Sequence, residues 1–173
     1  MRAVRFSEFS ITPDLADVPE PDCPAHAAVI EVRATGLCRS DWHAWQGHDF
    51  TVTLPHTPGH EFVGVVTTVG EDVRAWVGGE RVTAPFVNAC GDCETCREGR
   101  QSICPNQTQA GFDRDGSFAE RVVVHHADTN LVAVPAEIDD ATAAGLGCRF
   151  ATAYRAVTSR ARVASGEFVV VFG

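Results

Sequence analysis

The sequence contains no apolar run approaching the roughly 18 residues that a membrane-spanning helix needs, so a membrane partner is not expected. Its opening residues, Met1 to Glu8, lack the apolar core of a secretory signal, and the expected location is the cytoplasm. Basic residues are scarce: 14 Lys and Arg stand against 23 Asp and Glu, a formal charge of −9. A phosphate backbone is bound mainly through clustered cations, so nucleic acid is not an expected partner either. That exclusion matters because clustered cysteines would otherwise raise the possibility of a zinc finger. There is no internal repeat and no low-complexity segment. A His-Glu-x-x-His protease motif is also missing, since the residue four past His60 is Gly64, and Pro58-Gly59 prevents a helix from carrying both His56 and His60.

What is present is ordinary globular composition, 45% apolar and 21% charged in 173 residues. That is enough for one domain with a core and a short extension, and not for two. Seven cysteines in a reducing compartment point to metal binding or catalysis before disulfides. Four are clustered, Cys38 and Cys148 stand apart, and Cys23, beside prolines, is read as a loop thiol without a role.

Short strands are expected over Met1 to Phe9, Ala27 to Thr35, Phe62 to Val69, Gly79 to Phe86, Phe118 to His125 and Asn130 to Pro135. Asp17 to Pro24, with three prolines, reads as an extended loop or edge. Arg39 to Gly47 reads as a short helical turn. Asp139 is an expected N-cap for a helix running toward Arg160, interrupted at Gly145 and Gly147. Gly166 to Gly173 is apolar enough for a strand buried on both faces of a parallel sheet. Many short strands separated by Gly and Pro turns predict a mainly β, barrel-like domain.

The chain is organised around the stretch from Leu54 to Gly70, where a Pro/Gly turn ending at Gly59 runs into a strand and holds His60 at the joint. Cys38 follows another strand, after Gly36, and Cys148 lies far downstream. Two thiolates and one imidazole make the Cys₂His donor set of a catalytic zinc, with the fourth position open. The remaining histidines invite no role: His125 and His126, adjacent in a strand, would point to opposite faces, and His26 and His48 sit in loops. Phe86, Trp45 and Phe50 are candidates for the wall of an apolar substrate pocket, or for core.

Cys90-x₂-Cys93-x₂-Cys96-x₇-Cys104 brings four thiolates into one loop. Four sulfurs about 2.3 Å from one ion make the closed, structural type of zinc site, and Arg97 and Arg100 could offset part of its charge. An iron–sulfur cluster is the alternative; the bacterial ferredoxin run has three residues before its last cysteine rather than seven.

Gly59-His60-Glu61-x₂-Gly64-x₅-Gly70 and Cys38-Arg39-Ser40-Asp41-x-His43 resemble the signatures of zinc-containing medium-chain alcohol dehydrogenases. The resemblance implies a GroES-like, partly open β-barrel with a structural-zinc lobe. It implies two zinc ions per chain, a catalytic one on Cys38, His60 and Cys148 and a structural one on Cys90, Cys93, Cys96 and Cys104. NAD or NADP would be the cofactor, and a small alcohol or carbonyl compound the substrate. By the same resemblance Ser40 and His43 relay a proton, Asp41 orients His60, Glu61 lies beside the metal and tunes or briefly replaces a ligand, and Arg39 and Gly173 belong to cofactor binding. Family members run to about twice this length. Residues 1–145 are therefore expected to be the zinc-binding catalytic domain and 146–173 a connecting helix with the first strand of an otherwise absent Rossmann domain. The chain is expected to be a homo-oligomer and inactive alone. The rival expectation is a non-catalytic zinc-binding GroES-like interaction module.

Overall fold

Apolar runs in the first halves of the two longest strands set the architecture. The computed structural model describes residues 1–172. Its strands are β1 (Arg2–Arg5), β2 (Asp14–Asp17), β3 (Ala28–Gly36), β4 (Glu61–Val69), β5 (Arg81–Thr83), β6 (Arg121–Val124) and β7 (Val132–Ala133). Antiparallel pairing joins five of them in the order β6, β3, β4, β5, β7, while β1 and β2 form a separate ribbon. Ile30 of β3 stands opposite Val66 of β4 and Val122 of β6, and with Phe62, Val82 and Val124 these side chains make the main core. Burying each contributes roughly 1.5–3 kcal/mol. Two register irregularities in β3, between Val29 and Ile30 and between Val32 and Ala34, bend the sheet as bulges do. Bridges from Ala3 to Ala119 and from Phe6 to His56 fasten the ribbon across the opening. The result is the expected mainly β, barrel-like domain.

Five short helices, α1 (Arg39–Trp45), α2 (Glu94–Arg97), α3 (Ala127–Asn130), α4 (Asp140–Ala144) and α5 (Ala151–Arg155), lie between or after the strands. Asp139 caps α4 as expected, its carboxylate accepting from the Thr142 amide at 3.0 Å. Ala143 and Ala144 pack against Val63 and Val134. Past Gly145 the helix does not break but widens into a π-turn over Leu146–Phe150, with the Phe150 amide reaching back to the Gly145 carbonyl at 3.4 Å.

Several expectations need correction. The anticipated strand from Gly166 does not form in the described residues; Phe168 and Phe172 are 92% and 91% exposed. A strand exists only where its amides and carbonyls meet a ladder, and no neighbour offers one there among the described residues. Gly173 lies outside the described residues. Strand β6 ends at Val124, and His126 takes a left-handed turn at φ 49°, so His125 and His126 do not alternate as strand neighbours would. The proline-rich stretch is a loop, one of its two expected readings: β2 ends at Asp17, where the stretch begins, and its prolines have no amide to give a ladder.

Candidate metal centre

His60 owes its position to the turn before it. The amides of Gly116, Ser117 and Phe118 donate to the carbonyls of Thr57, Gly59 and Pro58 at 2.7, 2.9 and 2.9 Å. Gly59 sits at φ +105°, and a Cβ there would lie 2.7 Å from the Phe118 amide, so the close crossing requires glycine. The imidazole is 1% exposed, with the Phe112 ring 5.2 Å and the Phe86 ring 6.5 Å away between centroids. Its Nδ1 lies 3.1 Å from Asp41 Oδ1. Nε2 is therefore the free nitrogen; it is buried and has no hydrogen-bond partner.

Cys38 stands at the N-terminus of α1. The Asp41 carboxylate reaches back to accept from the Cys38 amide at 2.8 Å, while its other oxygen accepts from the Gly59 amide at 3.1 Å. One buried carboxylate thus joins the Cys38 and His60 segments. Cys148 rides on the π-turn, a distortion common at functional positions, which is tied to the sheet end where the Phe86 amide donates to the Gly147 carbonyl at 3.1 Å. The ligand atoms of Cys38, His60 and Cys148 all lie within 4.8 Å of one another.

The charged forms of His60 and Cys38 are each stabilised by their neighbours. Burial would drive a proton off His60, but Asp41 and the Cys148 and Cys38 sulfurs outweigh it and hold the ring's pKa up at about 10. Burial likewise opposes a Cys38 thiolate, yet the Ser40 amide and hydroxyl, and then His60, bring that thiol below its ordinary value. An orphaned buried nitrogen within 4.8 Å of two cysteine sulfurs fits a zinc ion with one coordination position open.

The other expected site residues fall around this centre. Ser40 Oγ is 3.7 Å from Cys38 Sγ. Arg39 lies over the Trp42 ring at 4.2 Å and, with Cys38, Phe6, Trp42 and Trp45, lines a cavity of about 470 Å³. His43 is exposed, and its Nδ1 lies 3.1 Å from Nδ1 of His48, a loop histidine given no role by sequence. Trp45 thus walls a cavity beside Cys38 and Phe86 flanks His60. Phe50 does neither, being 97% exposed. Glu61, directly after His60, is fully buried, and Arg149 engages its carboxylate, the Nε donating to both oxygens at 3.0 Å.

The four-cysteine lobe is assembled. Sulfur separations are 3.9 Å for Cys90 and Cys96, 3.8 Å for Cys93 and Cys104, and 3.5 Å for Cys90 and Cys104. A tetrahedron with bonds of about 2.3 Å puts its sulfurs about 3.8 Å apart, so the loop already has the dimensions of a zinc–thiolate site. Burial would raise the Cys104 thiol, but the amides of Cys90 and Asn106, directed at its sulfur, bring it to about 7. Arg100 pairs with Glu98 instead of offsetting the sulfur charge. Asn130 anchors the lobe: its side chain accepts from the Ala89 amide and donates to the Ala89 carbonyl, both at 2.9 Å.

Two features escaped sequence reasoning. Arg149 was visible only as a charged residue directly after a proposed ligand. His26, His125 and His126 form a cluster, with His26 Nε2 3.1 Å from His125 Nδ1 and stacked on His126 at 4.4 Å; no spacing rule signals it, because the residues come from separate turns.

Residues 24–136 match the family described as alcohol dehydrogenase GroES-like domain. An L-threonine 3-dehydrogenase of Marinomonas sp. (strain MWYL1) is 39% identical over 75% of this chain and 38% of its own length. An alcohol dehydrogenase of Geobacillus stearothermophilus is 34% identical over 100% of this chain and 51% of its own. An alcohol dehydrogenase structure from Thermus sp. ATN1 superposes with a TM-score of 0.82 at 32% identity, over 89% of this chain and 46% of that one. The chain therefore spans about half, or less, of the length of these relatives.

Proposed function

The chain belongs to the alcohol dehydrogenase GroES-like domain family, and on that premise we propose that it is the zinc-binding catalytic part of a nicotinamide-dependent alcohol dehydrogenase. The observation that carries the proposal is the buried, unpartnered Nε2 of His60 beside the sulfurs of Cys38 and Cys148. Zinc held by those three residues supplies Lewis acidity toward the oxygen of an alcohol or carbonyl substrate, and NAD or NADP supplies the hydride partner. A second zinc on Cys90, Cys93, Cys96 and Cys104 is structural.

The chain's own residues supply the rest. Asp41 fixes the His60 tautomer by accepting from Nδ1, leaving Nε2 for the metal. Ser40, two residues from a ligand, accepts a hydrogen bond from the substrate hydroxyl and, as it gains that proton, releases its own toward His43. His43, exposed and in contact with His48, passes it to solvent. Phe6, Trp42 and Trp45 exclude water from the cavity beside Cys38 and present apolar surface to the substrate. Arg39, on the same cavity, carries the charge for a cofactor phosphate. The reading places residues 1–145 in the catalytic domain and 146–173 in a connector; the change from buried Ala143 and Ala144 to the exposed run beginning at Arg149 supports that division. It also places the protein in the cytoplasm, in keeping with seven free cysteines, and as a homo-oligomer.

The test is a chimera in which this chain replaces the matching half of the Geobacillus stearothermophilus alcohol dehydrogenase. NAD- or NADP-linked oxidation of small alcohols, abolished by Cys148→Ser, is the expected outcome. A folded, zinc-loaded chimera without activity would favour a non-catalytic zinc-binding module.

A further inference from the structure

One residue follows the third proposed ligand and bonds to the neighbours of the other two. Arg149 directly follows Cys148 in sequence. Its Nη2 donates to the carbonyl of Leu37, the residue before Cys38, at 2.9 Å. Its Nε donates to both oxygens of Glu61, the residue after His60, and its backbone amide donates to Glu61 Oε1 at 3.1 Å. The three segments come from the end of β3, the start of β4 and the π-turn, and among the described residues no other side chain bonds to two of the positions flanking the ligands while itself flanking the third.

Burial explains why the contact is firm. The Glu61 side chain is fully buried and that of Arg149 is 55% exposed, so the guanidinium closes over a carboxylate that has little access to water. A buried carboxylate without a cation is costly, which fixes where the π-turn must sit relative to β4. Gly36 makes room for this arrangement: a Cβ there would lie 2.6 Å from Glu61 Oε2 and 3.2 Å from Arg149 Nη2. The planar fork is also specific to arginine, because a lysine ammonium cannot span both Glu61 oxygens and the Leu37 carbonyl in one plane.

We propose that Arg149 is a positioning residue for the metal centre, clamping Glu61 and the Leu37 carbonyl so that Cys38, His60 and Cys148 stand at ligand spacing before any ion arrives. It contacts neither metal nor substrate. The proposal rests on the zinc reading above and deepens it by naming what holds Cys148, the ligand most distant in sequence, against the other two. A preformed site binds more tightly because less ordering remains for the ion to drive, and outer partners of this kind typically govern 10–100-fold in metal affinity.

The experiment is zinc titration of the purified 173-residue chain against a coloured chelator. Wild type gives two steps, and Cys148→Ser identifies the one belonging to the three-ligand centre. Arg149→Met weakens that step by about 10–100-fold and leaves the four-cysteine step unchanged. Arg149→Lys recovers part of the loss, and Glu61→Gln with Arg149→Met is no weaker than Arg149→Met alone, since the two act through one contact. The visible spectrum of cobalt in the three-ligand centre shifts in Arg149→Met, reporting altered geometry. Should Arg149→Met fail to fold, Gly36→Ala, which pushes into the same pair, carries the test and weakens the same step selectively. The proposal is overturned if Arg149→Met or Arg149→Lys binds as tightly as wild type, or if both steps weaken together, as a general loss of stability would cause. A single zinc step in wild type overturns the zinc reading itself, and this proposal with it.

Discussion

Asp41 Oδ1 lies 3.1 Å from His60 Nδ1, and both side chains are almost completely buried, at 3% and 1% exposure. The same carboxylate also accepts from the Cys38 and Gly59 amides. Asp41→Asn is therefore more than a loss of charge: an amide has one oxygen, so either the Cys38 amide or the His60 and Gly59 donors would face its NH₂ group. The expected outcome is a three-ligand zinc step weakened by about 10–100-fold, read by chelator competition. Unchanged affinity would mean that Asp41 does not orient His60.

The sulfur spacings of the lobe lead to a second expectation. Protein purified without chelator should contain about two equivalents of zinc, one for each donor group, because binding energy at a closed thiolate site is folding energy. Cys93→Ser should lose one equivalent and melt at a lower temperature. A variant as stable as wild type would remove zinc from the account of the lobe.

Asn130 joins the lobe to the turn after β6. Its amide nitrogen donates to the carbonyls of Ala89 and His125, each at 2.9 Å, and its oxygen accepts from the Ala89 amide. Asn130→Ala leaves these buried groups unpaired and should cost about 2–3 kcal/mol, measured by denaturant unfolding. A loss below about 0.5 kcal/mol, the range of ordinary surface substitutions, would show that the lobe is held in some other way.

His125 gives the fold a dependence on pH. Burial, then the nearby Arg114, His26 and His126, depress its pKa to about 4, below the unfolded value of about 6.5. Between those values the unfolded chain binds more protons, so stability rises with pH. The contribution is present above about pH 6.5 and is lost as pH falls toward 4. Comparing melting temperatures over that window, His125→Gln should show a shallower acid decline than wild type. Equal slopes would show that the burial of His125 carries no such linkage.

Local signals in the sequence reached far because much of the site is encoded locally. The spacing of the lobe cysteines, the turn ending at Gly59 before His60, and the short reach from Cys38 to Asp41 each place groups within a few residues of backbone, where turn geometry alone brings them near one another. Core strands were equally readable: apolar residues in Ala28–Gly36 and Glu61–Val69 can be buried only by pairing. The tertiary structure alone decided what depended on approach across the sheet. Periodicity said nothing of Arg149 meeting Glu61, because that contact depends on the pitch of a π-turn and the space left by Gly36. His125 and His126 followed the path of a turn instead of strand alternation, which gathered them with His26. The apolar run after Gly166 had the composition of a strand but, among the described residues, no neighbour to make one, since propensity belongs to a segment and a hydrogen-bond ladder belongs to a pair.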